Sequence, residues 1–119
     1  MNVNKKKASF ITIYDWMISD LKLGSDELIV YACIYGFNKY TGQDFFGGPE
    51  YISRWTASDE DSIKKALGML NVKGHIRRKS TKTERGYSII TYKASILEKE
   101  EKIKLEIIED DEIDELFPN

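Results

Sequence analysis

Residues 49–92 read PEYISRWTASDEDSIKKALGMLNVKGHIRRKSTKTERGYSIITY, and this stretch decides the fold. Pro49 suits the first turn of a helix, where its missing N–H would have no partner anyway. Ile52, Trp55 and Tyr51 are expected to face inward. Thr56-Ala57-Ser58 reads as a tight turn. Asp59 is a good N-cap for a second helix running to about Lys73. In it, Ile63, Ala66, Leu67 and Leu70 keep the spacing of one apolar stripe. Gly74 then ends the helix. His75 to Lys79 and Tyr87 to Tyr92 read as paired strands around a polar loop from Ser80 to Gly86. Ile76, Ile89 and Tyr87 are the residues expected to face the core.

Upstream, Phe10-Ile11-Thr12-Ile13 alternates and predicts a short strand. Tyr14 to Leu21 predicts a helix carrying Trp16 and Met17, closed by Gly24. Ser25-Asp26-Glu27-Leu28 approximates a capping box with acids in the first turn. It opens a central helix in which Leu28, Ile29, Tyr31, Ala32, Ile34 and Tyr35 leave little polar face. Thr41 to Gly48 is a loop. The expected core is Trp16, Ile34, Ile52, Trp55, Ile63, Leu67, Leu70 and Ile76.

Residues 10–76 resemble the N-terminal domains of replication-initiator and replisome-organiser proteins of Gram-positive phages and plasmids. The resemblance is carried by Phe10 to Met17, by Glu27 to Phe37 and by the helix pair from Ile52 to Ile76. It implies an α+β winged helix-turn-helix, mostly helical, with a short N-terminal strand and a C-terminal β-hairpin wing. The domain would span residues 1–93, with an acidic extension over 94–119. Three departures stand out. Ala57 replaces the usual turn glycine, Thr56 and Ser58 replace apolar residues, and Glu60 and Asp61 stand at positions that usually point at DNA.

Composition bounds the chemistry. The chain has 119 residues, 41% hydrophobic, with 7 Tyr, 5 Phe and 2 Trp, enough for one modest core. No apolar run approaches the ~20 residues of a membrane span, and no signal-like segment follows the basic start at Lys5 to Lys7. A cytoplasmic protein is expected. Cys33 is the only cysteine and His75 the only histidine, so no internal disulfide can form. Neither a metal cluster nor a cofactor-binding loop is visible, and Cys33 reads as a small buried hydrophobe. Nothing points to an enzyme.

The net charge of −2 hides a partition. Met1 to Lys93 holds 15 Lys/Arg against 10 Asp/Glu, whereas Ala94 to Asn119 holds 3 against 10. A basic surface and an acidic tail with separate roles are implied. The hairpin is the basic focus: Lys73, Arg77, Arg78, Lys79, Lys82 and Arg85 against Glu84 give +5 in 13 residues. Arg77 and Lys79 fall on one strand face and Arg78 on the other. The exposed face of the second helix should be Glu60, Asp61, Lys64, Lys65 and Gly68. In this fold its N-terminal half enters the major groove. There carboxylates can accept from cytosine N4 but are repelled by phosphates.

The expected DNA-binding residues are Lys64, Lys65, Arg77, Arg78, Lys79, Lys82 and Arg85, and the expected partner is double-stranded DNA, without cofactor or metal. The expected role is replication initiation or transcription control of a mobile element. The alternative is a winged-helix protein-interaction adaptor that does not bind DNA, which the acidic start of the second helix favours. Past Ala94, a helix capped by Ser95 is favoured over a strand-like alternation at Ile103 to Ile107. Asp110 to Asn119 is too acidic to order alone. Its Ile113, Leu116 and Phe117 form an apolar edge that could dock on a protein partner or on a second copy in a homodimer.

Overall fold

The computed structural model describes the backbone of residues 11–116 and the side chains of residues 11–105. The architecture is α+β and mostly helical. Four helices, α1 (Asp15–Ser19), α2 (Ser25–Thr41), α3 (Gly48–Thr56) and α4 (Glu60–Val72), precede a hairpin of β1 (Ile76–Lys82) and β2 (Ser88–Ala94). A long helix α5 (Ser95–Leu116) follows.

The centre is α2, whose Val30, Tyr31, Ala32, Ile34 and Tyr35 are all buried. Against it pack Met17 of α1, Ile52 of α3, the stripe Ile63, Ala66, Leu67 and Leu70 of α4, and Ile76, Tyr92 and Ala94 of the hairpin. The stripe read from the sequence of α4 is therefore the buried one.

Local chemistry explains the boundaries of α4. The Asp59 carboxylate accepts from the Ser62 N–H at 3.2 Å. That contact satisfies one of the amides left unpaired at the start of a helix. Hydrogen bonds to Ser62 hold the Asp59 carboxyl below its ordinary pKa. At the far end, Gly74 takes φ +81. Its N–H donates to the Asn71 carbonyl and the His75 N–H to the Leu70 carbonyl. This pair of bonds reverses the chain into β1, and the left-handed φ makes glycine the residue of choice.

The hairpin is antiparallel, with Ile76 opposite Ala94, Arg78 opposite Tyr92 and Lys82 opposite Ser88. Its outer edge is closed by residues distant in sequence. Phe45 forms an isolated antiparallel bridge with Tyr92, with N–H to O distances of 2.8 Å in both directions. Beside it, the buried Asn38 side chain of α2 accepts from the Ala94 N–H at 2.8 Å. The same amide donates to the Tyr92 carbonyl at 3.3 Å and to the Gln43 carbonyl at 2.9 Å. These contacts fix the hairpin to α2 and to the loop before α3.

Several expectations are corrected. Ile11 to Tyr14 is not a strand; the free edge of β2 beside Tyr92 and Ala94 is already taken by Phe45 and Asn38, while Phe10 lies outside the described residues. The helix expected from Tyr14 to Leu21 is only the single-turn α1. Ser25 does not cap α2. Gly24 is the N-cap, with extended φ −151 and ψ 169 and no side-chain bond, whereas Ser25 has φ 51, unlike the extended backbone a capping side chain uses. Trp55 and Tyr51 are 43% and 41% exposed, and Trp16 is only half-buried. Within α3 only Ile52 points at α2 and α4. Tyr51 and Trp55 share the adjacent face and pack on each other at 6.3 Å.

The strands run longer than the pattern suggested, so Ser80 to Lys82 pair and the turn shrinks to Thr83–Tyr87. Tyr87 and Ile89 are exposed, and Ile90, Tyr92 and Ala94 face inward instead. A one-residue shift of parity moves every strand side chain to the other face, and the Ile76–Ala94 pairing sets that parity. Ile103 to Ile107 is helical, as the favoured of the two readings has it. The backbone of α5 continues through Asp110 to Leu116. Once Ile96 and Leu97 seat the first turn on the core, each further residue adds to an existing helix without the cost of nucleation.

Candidate nucleic-acid interface

The exposed face of α4 is as expected: Glu60, Asp61, Lys64, Lys65 and Gly68 all lie at the surface. The two lysines diverge, however. Lys64 lines a groove between α4 and the hairpin together with Leu67, Gly68 and Asn71 of α4, Arg78 of β1, Tyr92 of β2 and Pro49 of α3. Lys65 faces the other way, into a cleft with Asp26 and Glu27 at the start of α2. The two lysines therefore have different surroundings on the same exposed side of α4. Neighbouring residues on a helix point about 100° apart, and α2 occupies the side towards which Lys65 turns.

Ion pairs divide the basic residues further. Lys64 Nζ lies 3.6 Å from Glu60 across one helical turn. Lys73 Nζ lies 2.7 Å from Glu27 and links the end of α4 to the start of α2. Arg77 lies 3.5 Å from Glu98 in the first turn of α5. Lys93, a residue the sequence reading did not single out, lies 2.9 Å from Glu101. Among the described residues, Lys65, Arg78, Lys79, Lys82 and Arg85 have no such partner. Lys5 to Lys7 lie outside the described residues.

The register separates the hairpin cations as expected. Arg78 pairs with Tyr92 and so shares the face of Ile76, Tyr92 and Ala94 that packs against α4. Arg77 and Lys79 pair with Lys93 and Thr91 on the opposite face. Arg78 is thus brought to α4, and Arg77 to α5. Gly68, expected on the exposed face, lines the groove, and Asn71, not singled out from the sequence, completes it. The spacing Lys64–Gly68–Asn71, one turn and then three residues, would have placed them there.

A second concavity, of about 220 Å³, is almost wholly apolar. Tyr14, Tyr35, Phe37, Phe45, Tyr51 and Trp55 line it, with Gly36 and Cys33 on its α2 side. The rings interlock: Phe37 meets Phe45 edge-on at 5.3 Å, and Phe45 meets Tyr51 at 5.9 Å. Tyr40 and Phe46 nearby are 73% and 63% exposed. Sequence reasoning missed this surface because it turned Tyr51 and Trp55 inward and read Phe45 and Phe46 only as part of the loop Thr41 to Gly48. Burial pushes the Cys33 thiol up to about 11, so it stays protonated near neutral pH. Among the described residues no cluster of His, Cys, Asp and Glu is placed to hold a metal ion. No described helix is long and apolar enough to cross a membrane.

Comparison with known protein families and with curated proteins finds no match to this chain.

Proposed function

We propose that this chain is a non-catalytic duplex-DNA-binding protein of winged helix-turn-helix architecture. It would serve replication initiation or transcription control of a phage- or plasmid-like element. One observation carries the reading: Lys64 of α4 and Arg78 of β1 converge on a single groove. Lys82 shares the strand face of Arg78 and extends it along the hairpin towards Arg85 in the turn, whereas Lys79 lies on the opposite face; none of these has an ion pair among the described residues. The element order supports the same reading. A central helix is followed by the short pairing of Phe45, two helices joined at Ala57–Asp59, and a basic hairpin. The replication or transcription role rests on the resemblance of residues 10–76.

The test is a titration of fluorescent duplex of arbitrary sequence at several salt concentrations. Each phosphate neutralised contributes about −0.9 to the slope of log affinity against log salt. Lys64, Arg78, Lys82 and Arg85 therefore set a slope of roughly −3 to −4. Absence of binding at low salt, or a flat slope, would overturn the reading.

The adaptor alternative draws on a different observation, the exposed aromatic surface around Tyr40, Phe46, Tyr51 and Trp55. Contiguous apolar area of that kind marks interaction sites. An adaptor would show no duplex binding at any salt.

A further inference from the structure

Gly68 sits in the middle of α4, on its exposed face, and the interior of the protein makes no demand for it. Its φ is not left-handed, and a methyl group built on its α-carbon would meet no atom within 4 Å. Glycine inside a helix is less stable than alanine, because it surrenders more backbone freedom on folding. Here that cost is offset by no contact, turn or relieved clash. What glycine leaves is a bare strip of helix backbone, open to an outside surface that comes close.

The surroundings of that strip are specific. Lys64, Asn71 and Arg78 line the same groove. Arg78 has no carboxylate within ion-pair distance among the described residues. The N-terminal turn of α4 differs: Glu60 and Asp61 are exposed, and Glu60 holds Lys64 at 3.6 Å. A phosphodiester strand approaching the start of α4 meets two carboxylates. One crossing the middle meets two cations, a side-chain amide and exposed backbone.

We infer that a strand of duplex DNA crosses the middle and C-terminal half of α4, with its sugar–phosphate backbone seated over Gly68. Arg78 and Lys64 then face its phosphates, and Asn71 lies beside it as a donor. Glu60 and Asp61 point past the strand. The acidic opening of α4 thus sets the docking register: repulsion moves the contact along the helix towards the hairpin. This inference rests on the DNA-binding reading above.

The test compares wild type with Gly68→Ala, Gly68→Gln and Arg78→Ala, each measured for thermal stability and for affinity to one fluorescent duplex over a salt series. Both Gly68 variants should melt at or above wild type, because each is the better helix former. Both should bind at least tenfold more weakly, with an unchanged salt slope, because no charge is altered. Arg78→Ala should weaken binding and flatten the slope. If Arg78→Ala weakens binding while both Gly68 variants bind like wild type, docking over Gly68 is wrong and the DNA reading stands. Lower melting temperatures in both Gly68 variants would mean that the glycine serves the fold, which also overturns the inference. If wild type itself does not bind duplex, the DNA reading fails, and this inference with it.

Discussion

Replacing Asn38 by Ala should destabilise the protein more than a typical single substitution. Asn38 is 4% exposed, and its side chain makes three hydrogen bonds across 54 and 56 residues of sequence to β2 and across five to Gln43. The losses are unequal. The Tyr92 carbonyl keeps its bond from the Phe45 N–H at 2.8 Å, and Gln43 is exposed enough for water to replace the amide. The Ala94 N–H has no such recourse, because Ala94 is fully buried. An orphaned buried donor costs about 1–3 kcal/mol. The vacated amide volume adds roughly 1 kcal/mol more, as an incompletely collapsed cavity does. A total of about 2–4 kcal/mol is then expected, against about 5–15 kcal/mol for a whole domain. At this size the melting temperature should fall by roughly 8–16 °C. Urea unfolding followed by Trp16 and Trp55 fluorescence reads the loss directly, provided the m-value is unchanged. A loss below about 1 kcal/mol would refute the reasoning, since it would mean that Ala94 N–H finds another partner.

Leu67→Ala removes a side chain 3% exposed and should cost about 2–5 kcal/mol in the same urea assay. A loss under half a kcal/mol would mean that the buried face of α4 is misassigned. On the proposed function, Arg78→Ala should lower the salt slope by about one. Lys65→Ala should change it less, because Lys65 faces Asp26 and Glu27; equal effects would remove the distinction between the two sides of α4. Burial, and next the Lys73 charge, hold the His75 imidazole below its ordinary pKa, with Glu27 opposing. A group whose pKa is depressed by folding contributes stability that is whole above its unfolded pKa and is lost as pH falls through the folded one. Stability should therefore decline below about pH 6.5, and His75→Gln should flatten that decline; an unchanged pH profile would show that His75 is not the group responsible.

The parts of the fold legible in the sequence were those with a local physical signature. The stripe Ile63–Ala66–Leu67–Leu70, the Asp59 cap and the Gly74 terminus each depend on residues within one helical turn, and each stands as read. The hairpin was legible as a pair of strands but not in its facing. Ser88 to Ala94 carries apolar residues on both sides, so parity had to come from Ile76 meeting Ala94. The aromatics of α3 misled for a related reason. Tyr51, Ile52 and Trp55 are all apolar, and only packing against α2 and α4 decides that Ile52 alone goes in. The closing of the β2 edge by Asn38 and Phe45 has no local signature at all. It joins positions about fifty residues apart, and an Asn in a helix interior reads as ordinary surface. At the candidate site, the basic residues were legible as a list. Their division by ion pairs with Glu27, Glu60 and Glu98 was not, because two of those partners sit on other elements.

That division decides what a partner of the hairpin would feel. The whole chain is net acidic, yet its charge is not read as a sum. At physiological salt the field of an exposed charge decays over about 8 Å. A helix rises about 1.5 Å per residue, so the backbone of Glu109 stands roughly 16 Å along α5 from that of Glu98. Glu98, 3.5 Å from Arg77, acts on the hairpin directly. Glu98 and Glu101 of α5 therefore pair with Arg77 and Lys93 on one face of the hairpin, and Arg78 on the other face is left to the groove. Because Asn38 and Phe45 lock the hairpin to the core, Arg78 and Lys64 need no large rearrangement to share a ligand. The entropy of bringing α4 and the hairpin together is met in folding rather than in binding.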